Sequence, residues 1–384
     1  MSERVQHFPE SVIREMTRLA NLHGAINLSQ GFPDFDPPQE VVEAAKAALE
    51  EGYNQYSTTW GSEAFREAIA TSFLRFQGFE VDPDENVVVT CGATEAMMAS
   101  MLSLMNPGEE VVIFEPFYEN YGPDSIMSGA IPRFVPMEWP DFRVEEEGLK
   151  EAFGPRTKAL ILNTPNNPTG KVIPRSDLKL IGDLCEDHDA VCVTDEIYEH
   201  IVYDGRRHVS VATLGDMWER TVTISGLSKT FSVTGWRLGY AIAPKTLTAV
   251  IRRTHDFLTV GAPHPLQMAG ARALEMPDSY FEALREDYTE RRELLFSTLQ
   301  SLGYHCIKPE GAYYIMADIT AFGFENDVEF AQHLVKEVGV AVVPGSSFFS
   351  HPEEGRFLVR FAFPKRLETL KMAAKRLEKL GSDR

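Results

Sequence analysis

The chain has 384 residues, 43% hydrophobic and 24% charged, with a formal net charge of −20 at neutral pH. A single hydrophobic core stops growing at roughly 250–300 residues, so two compact units are expected. That much negative charge argues against nucleic acid and anionic membrane as partners, although one basic pocket could still hold an anionic ligand.

The N-terminal stretch MSERVQHFPESVIREMTRLA is polar and lacks the apolar segment of a signal peptide. No run reaches the roughly 20 apolar residues of a membrane span. Cys91, Cys185, Cys192 and Cys306 form no C-x-x-C pair, and the histidines show no zinc spacing. Reduced thiols in a soluble cytoplasmic protein, with no metal, are the expectation.

From about residue 86 strand and helix patterns alternate. ENVVVT reads as a buried strand, TEAMMASMLSLM as a helix and EEVVIFEP as the next strand. TKALILNTP, AVCVTDEIY, RTVTISG and RLGYAIAP follow as apolar runs of strand length, with SDLKLIGDLCEDHD and KTLTAVIRRTHDFL between some of them at helical spacing. Uniformly apolar strands with helical crossovers predict a mainly parallel sheet covered on both faces, an α/β large unit over 44–280. Beyond it, DSYFEALREDYTERRELLFSTLQSLG reads as a long helix with Phe281, Leu284, Tyr288, Leu295 and Leu299 on one stripe. The shorter elements that follow predict a smaller α+β unit made of 281–384 with 1–43.

Ligands bind at the carboxyl ends of parallel strands. Polar clusters fall there four times: Gly92-Ala93-Thr94, Asn163 to Gly170, Asp195 to Tyr198, and Ser225 to Lys229. One shared site is expected. Lys229, flanked by small residues, could lose its charge through burial and become a nucleophilic amine that condenses with a carbonyl. Arg237 could grip a phosphate bidentately, and Gly92-Ala93-Thr94 before a helix could hold one through backbone N–H groups. Arg360 inside the apolar strand FLVRFAF should face an anion, since burying it unpaired is costly.

The string SGLSKTFSVTGWRLGY resembles the pyridoxal-phosphate attachment signature of the class I/II aminotransferases at Gly226, Leu227, Ser228, Lys229, Gly235, Arg237, Leu238 and Gly239. NLSQGFPDFDPP, NQYSTTWG, EPFYENY, NTPNNPTGKV, DEIYEHIVYDG and FLVRFAF extend the resemblance over nearly the whole chain, toward the kynurenine and methionine aminotransferase branch. The resemblance implies fold-type I, a homodimer with shared active sites, and transfer of an amino group from an amino acid to a 2-oxo acid by a ping-pong path.

It also implies roles. Lys229 would hold the cofactor and move the Cα proton, Asp195 would keep the ring nitrogen protonated, and Tyr198 and Asn167 would bond the ring 3′-oxygen. Tyr118 would stack on the ring. Gly92, Ala93, Thr94 and Arg237 would bind the phosphate, with Tyr56 reaching the phosphate of the neighbouring subunit. Many relatives carry a phosphate-binding Ser three residues before the lysine; Gly226 stands there, leaving Ser225 or Ser228 as substitutes. Arg360 and Gly31 would meet the substrate α-carboxylate.

Two rivals use the same cofactor. A carbon–sulfur β-lyase would expel a group from Cβ, and a pyridoxal-phosphate-binding transcription regulator would need a DNA-binding domain for which the sequence before about residue 27 leaves no room. The segment after Gly92 offers Thr94 and Glu95 but no second cation, so Phe32, Tyr121 and Phe257 are expected to line a pocket for aromatic or long apolar donors such as kynurenine and methionine.

Overall fold

The computed structural model describes residues 3–6, 8 and 10–382. The six uniformly apolar runs become six strands of one eight-stranded sheet. Its order is Val87–Thr90, Gly239–Ile242, Thr221–Gly226, Val191–Asp195, Thr157–Asn163, Glu110–Glu115, Ile131–Glu138 and Arg143–Val144. Five neighbouring strands, from Thr221–Gly226 to Ile131–Glu138, pair in parallel. Only Gly239–Ile242 and Arg143–Val144 run against them. Val111, Val112, Ile113 and Leu160 are fully buried, as strands covered by helices on both faces must be.

Ile131–Glu138 is a strand that the apolar-run criterion missed. It carries Pro132 and Pro136, and its first half alternates between exposed and half-buried positions. Proline removes a ladder donor, so such a strand lies near a sheet edge, here next to the short terminal strand Arg143–Val144.

A second, four-stranded antiparallel sheet joins His305–Cys306, Tyr314–Asp318, Leu358–Ala362 and Val343–Pro344. Ile26–Asn27 pairs in parallel with Val340–Ala341, which fastens the N-terminal segment beside it. The long helix Asp278–Ser301 buries all five stripe residues and, between Tyr288 and Leu295, the fully buried Arg292. Its guanidinium donates to both oxygens of Asp204 at 2.8 Å and to Pro309 O at 2.9 Å. Among the described residues no helix is long and apolar enough to cross a membrane.

Candidate active site

Parallel register brings the polar strand ends side by side: Asn163 pairs with Asp195, and Asp195 with Ile224. The chain leaving Gly226 then carries Ser228 and Lys229 over the same edge. The result is a cavity of about 380 Å³. Of the expected residues, Gly31, Ala93, Thr94, Tyr118, Asn167, Asp195, Tyr198, Ser228, Lys229, Arg237 and Arg360 line it.

Asp195 is fixed from two sides. Tyr121 Oη donates to Oδ2 at 2.8 Å and Ile197 N to Oδ1 at 3.2 Å. Burial raises its carboxyl pKa, while those bonds and the charge of Lys229 pull the other way. Lys229 donates to Gly31 O at 3.2 Å. Burial, helped by the Arg237 and Arg360 charges and opposed by Asp195, pushes its amine down to about 8. An amine this close to neutrality is a usable nucleophile and base.

The helix Ala93–Leu104 starts directly after Gly92, whose φ of +88° favours glycine. A Cβ there would sit 2.4 Å from Arg237 Nη2, and one on Gly239 would sit 2.3 Å from Ala93 N. Two glycines thus let a guanidinium and a helix N-terminus converge. The first N–H groups of a helix have no acceptor within it, and the helix dipole adds positive potential. The pair could hold a phosphate.

Arg360 is 1% exposed. Among the described residues it makes no ion pair: Nη1 donates to Asn167 Oδ1 and Nη2 to Ser29 O, both at 2.7 Å, and Nε has no acceptor. The Tyr314 ring lies 4.3 Å from the guanidinium carbon. No salt bridge among the described residues therefore accounts for this buried arginine. Tyr314 Oη also bonds Tyr198 Oη at 2.9 Å. It packs so closely on Gly31 that a Cβ there would lie 2.0 Å from it.

Not every expected residue meets the cavity. Ser225 donates to Glu199 Oε1 at 2.6 Å and does not line the cavity, so of these two serines Ser228 is the one on its wall. No side chain fits at position 226, where a Cβ would lie 2.7 Å from Leu238 O. Tyr56 is 83% exposed and does not line the cavity. Phe32 and Phe257 do not line it either: the Phe32 ring packs against the Lys365 ammonium, 4.7 Å away, and Phe257 is 92% exposed. Tyr121 lines it, but with its hydroxyl on Asp195.

Several lining residues went unread in the sequence. Tyr314 and Asp124 carry no motif. Asp124 is buried, its carboxyl pushed up to about 8 by burial and then by Asp195. Ser11, Ile13 and Arg14 come from the start of the N-terminal helix Val12–His23. Arg14 is a further cation on the cavity wall in addition to Lys229, Arg237 and Arg360, while the segment after Gly92 itself adds none.

Residues 23–377 match the family model "Aminotransferase class I and II". The chain is 37% identical to methionine aminotransferase of Escherichia coli, covering 96% of each chain. It is also 37% identical to kynurenine–oxoglutarate transaminase 1 of Homo sapiens, over 95% of this chain and 94% of that one. The solved structure of N-succinyldiaminopimelate aminotransferase from Mycobacterium tuberculosis superposes with a TM-score of 0.96 at 40% identity, covering 99% of this chain and all of that one. The chain belongs to the class I and II aminotransferases. It is a pyridoxal-phosphate-dependent transaminase of fold-type I, acting on amino and 2-oxo acids. Nothing in these likenesses supports the β-lyase alternative.

The residues present fit that cofactor. A buried carboxylate stands ready for a ring nitrogen, a glycine-made cradle beside Arg237 for a phosphate, and a buried guanidinium without a carboxylate for an acid group.

Proposed function

We propose that Lys229 carries pyridoxal phosphate and serves as the base and acid that moves the substrate Cα proton. When bound, the cofactor ring takes up the electron pair left at Cα. Asp195, its carboxylate steadied by Tyr121 and Ile197 N, keeps the ring nitrogen protonated. Tyr198 and Asn167 bond the ring oxygen and Tyr118 covers the ring face. Gly92, Ala93, Thr94, Ser228 and Arg237 hold the phosphate. Arg360, beside Gly31, clamps the α-carboxylate of every substrate.

The carrying observation is that Lys229, with an amine near neutrality, shares one cavity with Asp195 and with an Arg360 that has no acid partner among the described residues. Relatives named for methionine and for kynurenine support a donor with a long apolar or aromatic side chain. Arg14 favours a second carboxylate on the other substrate, the oxo-acid acceptor. Tyr56, exposed on its own subunit, completes the phosphate site of a neighbour in a homodimer. We place the protein in the cytoplasm, free of nucleic acid and membrane, with a large unit over 44–280 and a small one from 1–43 plus 281–384.

The test is a half-reaction. Given methionine or kynurenine and no oxo acid, the enzyme should convert one equivalent of donor per site and stop, then resume when 2-oxoglutarate is added. Continuous release of pyruvate and ammonia from a cysteine conjugate without an acceptor would contradict it.

A further inference from the structure

Next to the phosphate cradle a buried histidine pairs with a half-buried glutamate, and the catalytic reading uses neither. His255, fully buried on the helix Lys245–Thr259, places Nδ1 2.7 Å from Glu95 Oε1 and Nε2 2.9 Å from Thr59 O. A carbonyl oxygen only accepts. Glu95 already accepts from Thr259 Oγ1 at 2.8 Å and, on its other oxygen, from Cys91 N. With an ionised Glu95 on one side and a carbonyl on the other, each ring nitrogen carries a proton, so the ring is an imidazolium.

Its two partners belong to two different parts of the site. Glu95 holds the N–H of Cys91, the residue before Gly92, and stands in the first turn of the helix that begins the cradle. Thr59 lies in the segment that carries Tyr56. His264 and Gln267 hold that same segment, His264 Nδ1 at 3.0 Å from Gln55 O and Gln267 Nε2 at 3.1 Å from Ser57 Oγ.

We propose that imidazolium His255 is a positioning residue: it ties the phosphate cradle of its own subunit to the Tyr56-bearing segment, and its protonation retains the cofactor. This rests on the reading that Gly92–Thr94 cradles the phosphate. Burial works against the charge on His255, but the bond and charge of Glu95, the Thr59 carbonyl and Asp256 on its own helix outweigh it and raise its pKa. Burial likewise opposes ionised Glu95, and His255, Cys91 and Thr259 reverse that. A histidine raised in this way contributes fully below its ordinary value of about 6.5, and the contribution fades as pH rises through the folded value.

Two measurements test it. In holoenzyme carrying ¹⁵N-labelled histidine, the signal lost in His255→Gln should be that of a ring protonated on both nitrogens at neutral pH. Pyridoxal phosphate released into an ultrafiltrate, followed from about pH 6 to about pH 9 across the histidine range, should rise with pH in the wild type. His255→Gln should release about tenfold more at neutral pH, as expected for a lost charge-assisted bond, and should lack that part of the pH dependence. A neutral His255 at pH 7, or retention in His255→Gln equal to wild type throughout, overturns the proposal. Gly92→Ala separates the two readings. If it too retains cofactor normally, the cradle assignment fails; if it loses cofactor while His255→Gln does not, only the role of His255 fails.

Discussion

Arg360 Nη1 donates a 2.7 Å hydrogen bond to Asn167 Oδ1, and this contact sets which end of the amide faces the cavity. With its oxygen engaged, Asn167 can offer only its NH₂ group to a bound ring oxygen. Under the proposed roles, one arginine would orient a cofactor contact and also bind the substrate carboxylate.

Asn167→Asp should disrupt both functions. A carboxylate at that position would pair with Arg360 and compete with the substrate α-carboxylate, so KM should rise about tenfold or more for every donor. Arg360→Lys should also weaken all donors together, because an ammonium cannot reproduce the two-pronged fork. A kcat/KM series over several amino acids in both variants checks this. A loss confined to one donor class would place Arg360 against the side chain instead.

Asp195→Ala removes one partner of a buried charge pair, at a cost of roughly 3–5 kcal/mol. If most of that cost falls on the transition state, turnover drops by about two to three orders of magnitude. Tyr121→Phe deletes only one bond to the same carboxylate and should cost about tenfold. Steady-state rates at saturating cofactor give both numbers, and Asp195→Ala within tenfold of wild type would remove the role assigned to that residue.

The Lys229 amine, pushed down to about 8 by burial, should show this in cofactor uptake. Only the neutral amine attacks a carbonyl, so the rate at which cofactor-free enzyme captures pyridoxal phosphate should climb with pH and level off above about 8. An unperturbed lysine would keep gaining rate toward about 10.4. Stopped-flow absorbance across that range distinguishes the two.

Tyr56 should act across a dimer interface. In a heterodimer of a Tyr56→Phe chain and a Lys229→Ala chain, one site would carry both lesions and the other neither. Reassembled mixtures should regain up to half the wild-type activity per heterodimer. No recovery, with heterodimers confirmed by mass spectrometry, would confine Tyr56 to its own subunit.

What could be read in the sequence was what is contiguous along the chain. The lysine signature, the strand ends around Asn163 and Asp195, and the buried Arg360 each occupy one short string, and apolar strands with helical spacers give the parallel sheet. What could not be read depends on approach from afar. Tyr314 reaches Tyr198 from the antiparallel sheet, and Arg14 arrives on an N-terminal helix with no motif of its own. Ser225 and Ser228 are equivalent in the sequence, and only the distant Glu199, which holds the Ser225 hydroxyl, separates them. Pro132 and Pro136 hid a strand, and Arg292 interrupts an apolar stripe because Asp204 meets it from a distant loop.

The central claim is that Lys229, and no other lysine, bonds the cofactor. Reducing the holoenzyme with borohydride and mapping its peptides should put one pyridoxyl group per chain on the peptide containing Lys229. Lys229→Ala should take up none, and nearly all turnover should be lost with it. A pyridoxyl group on another lysine, or persistent labelling and turnover in Lys229→Ala, would contradict the account.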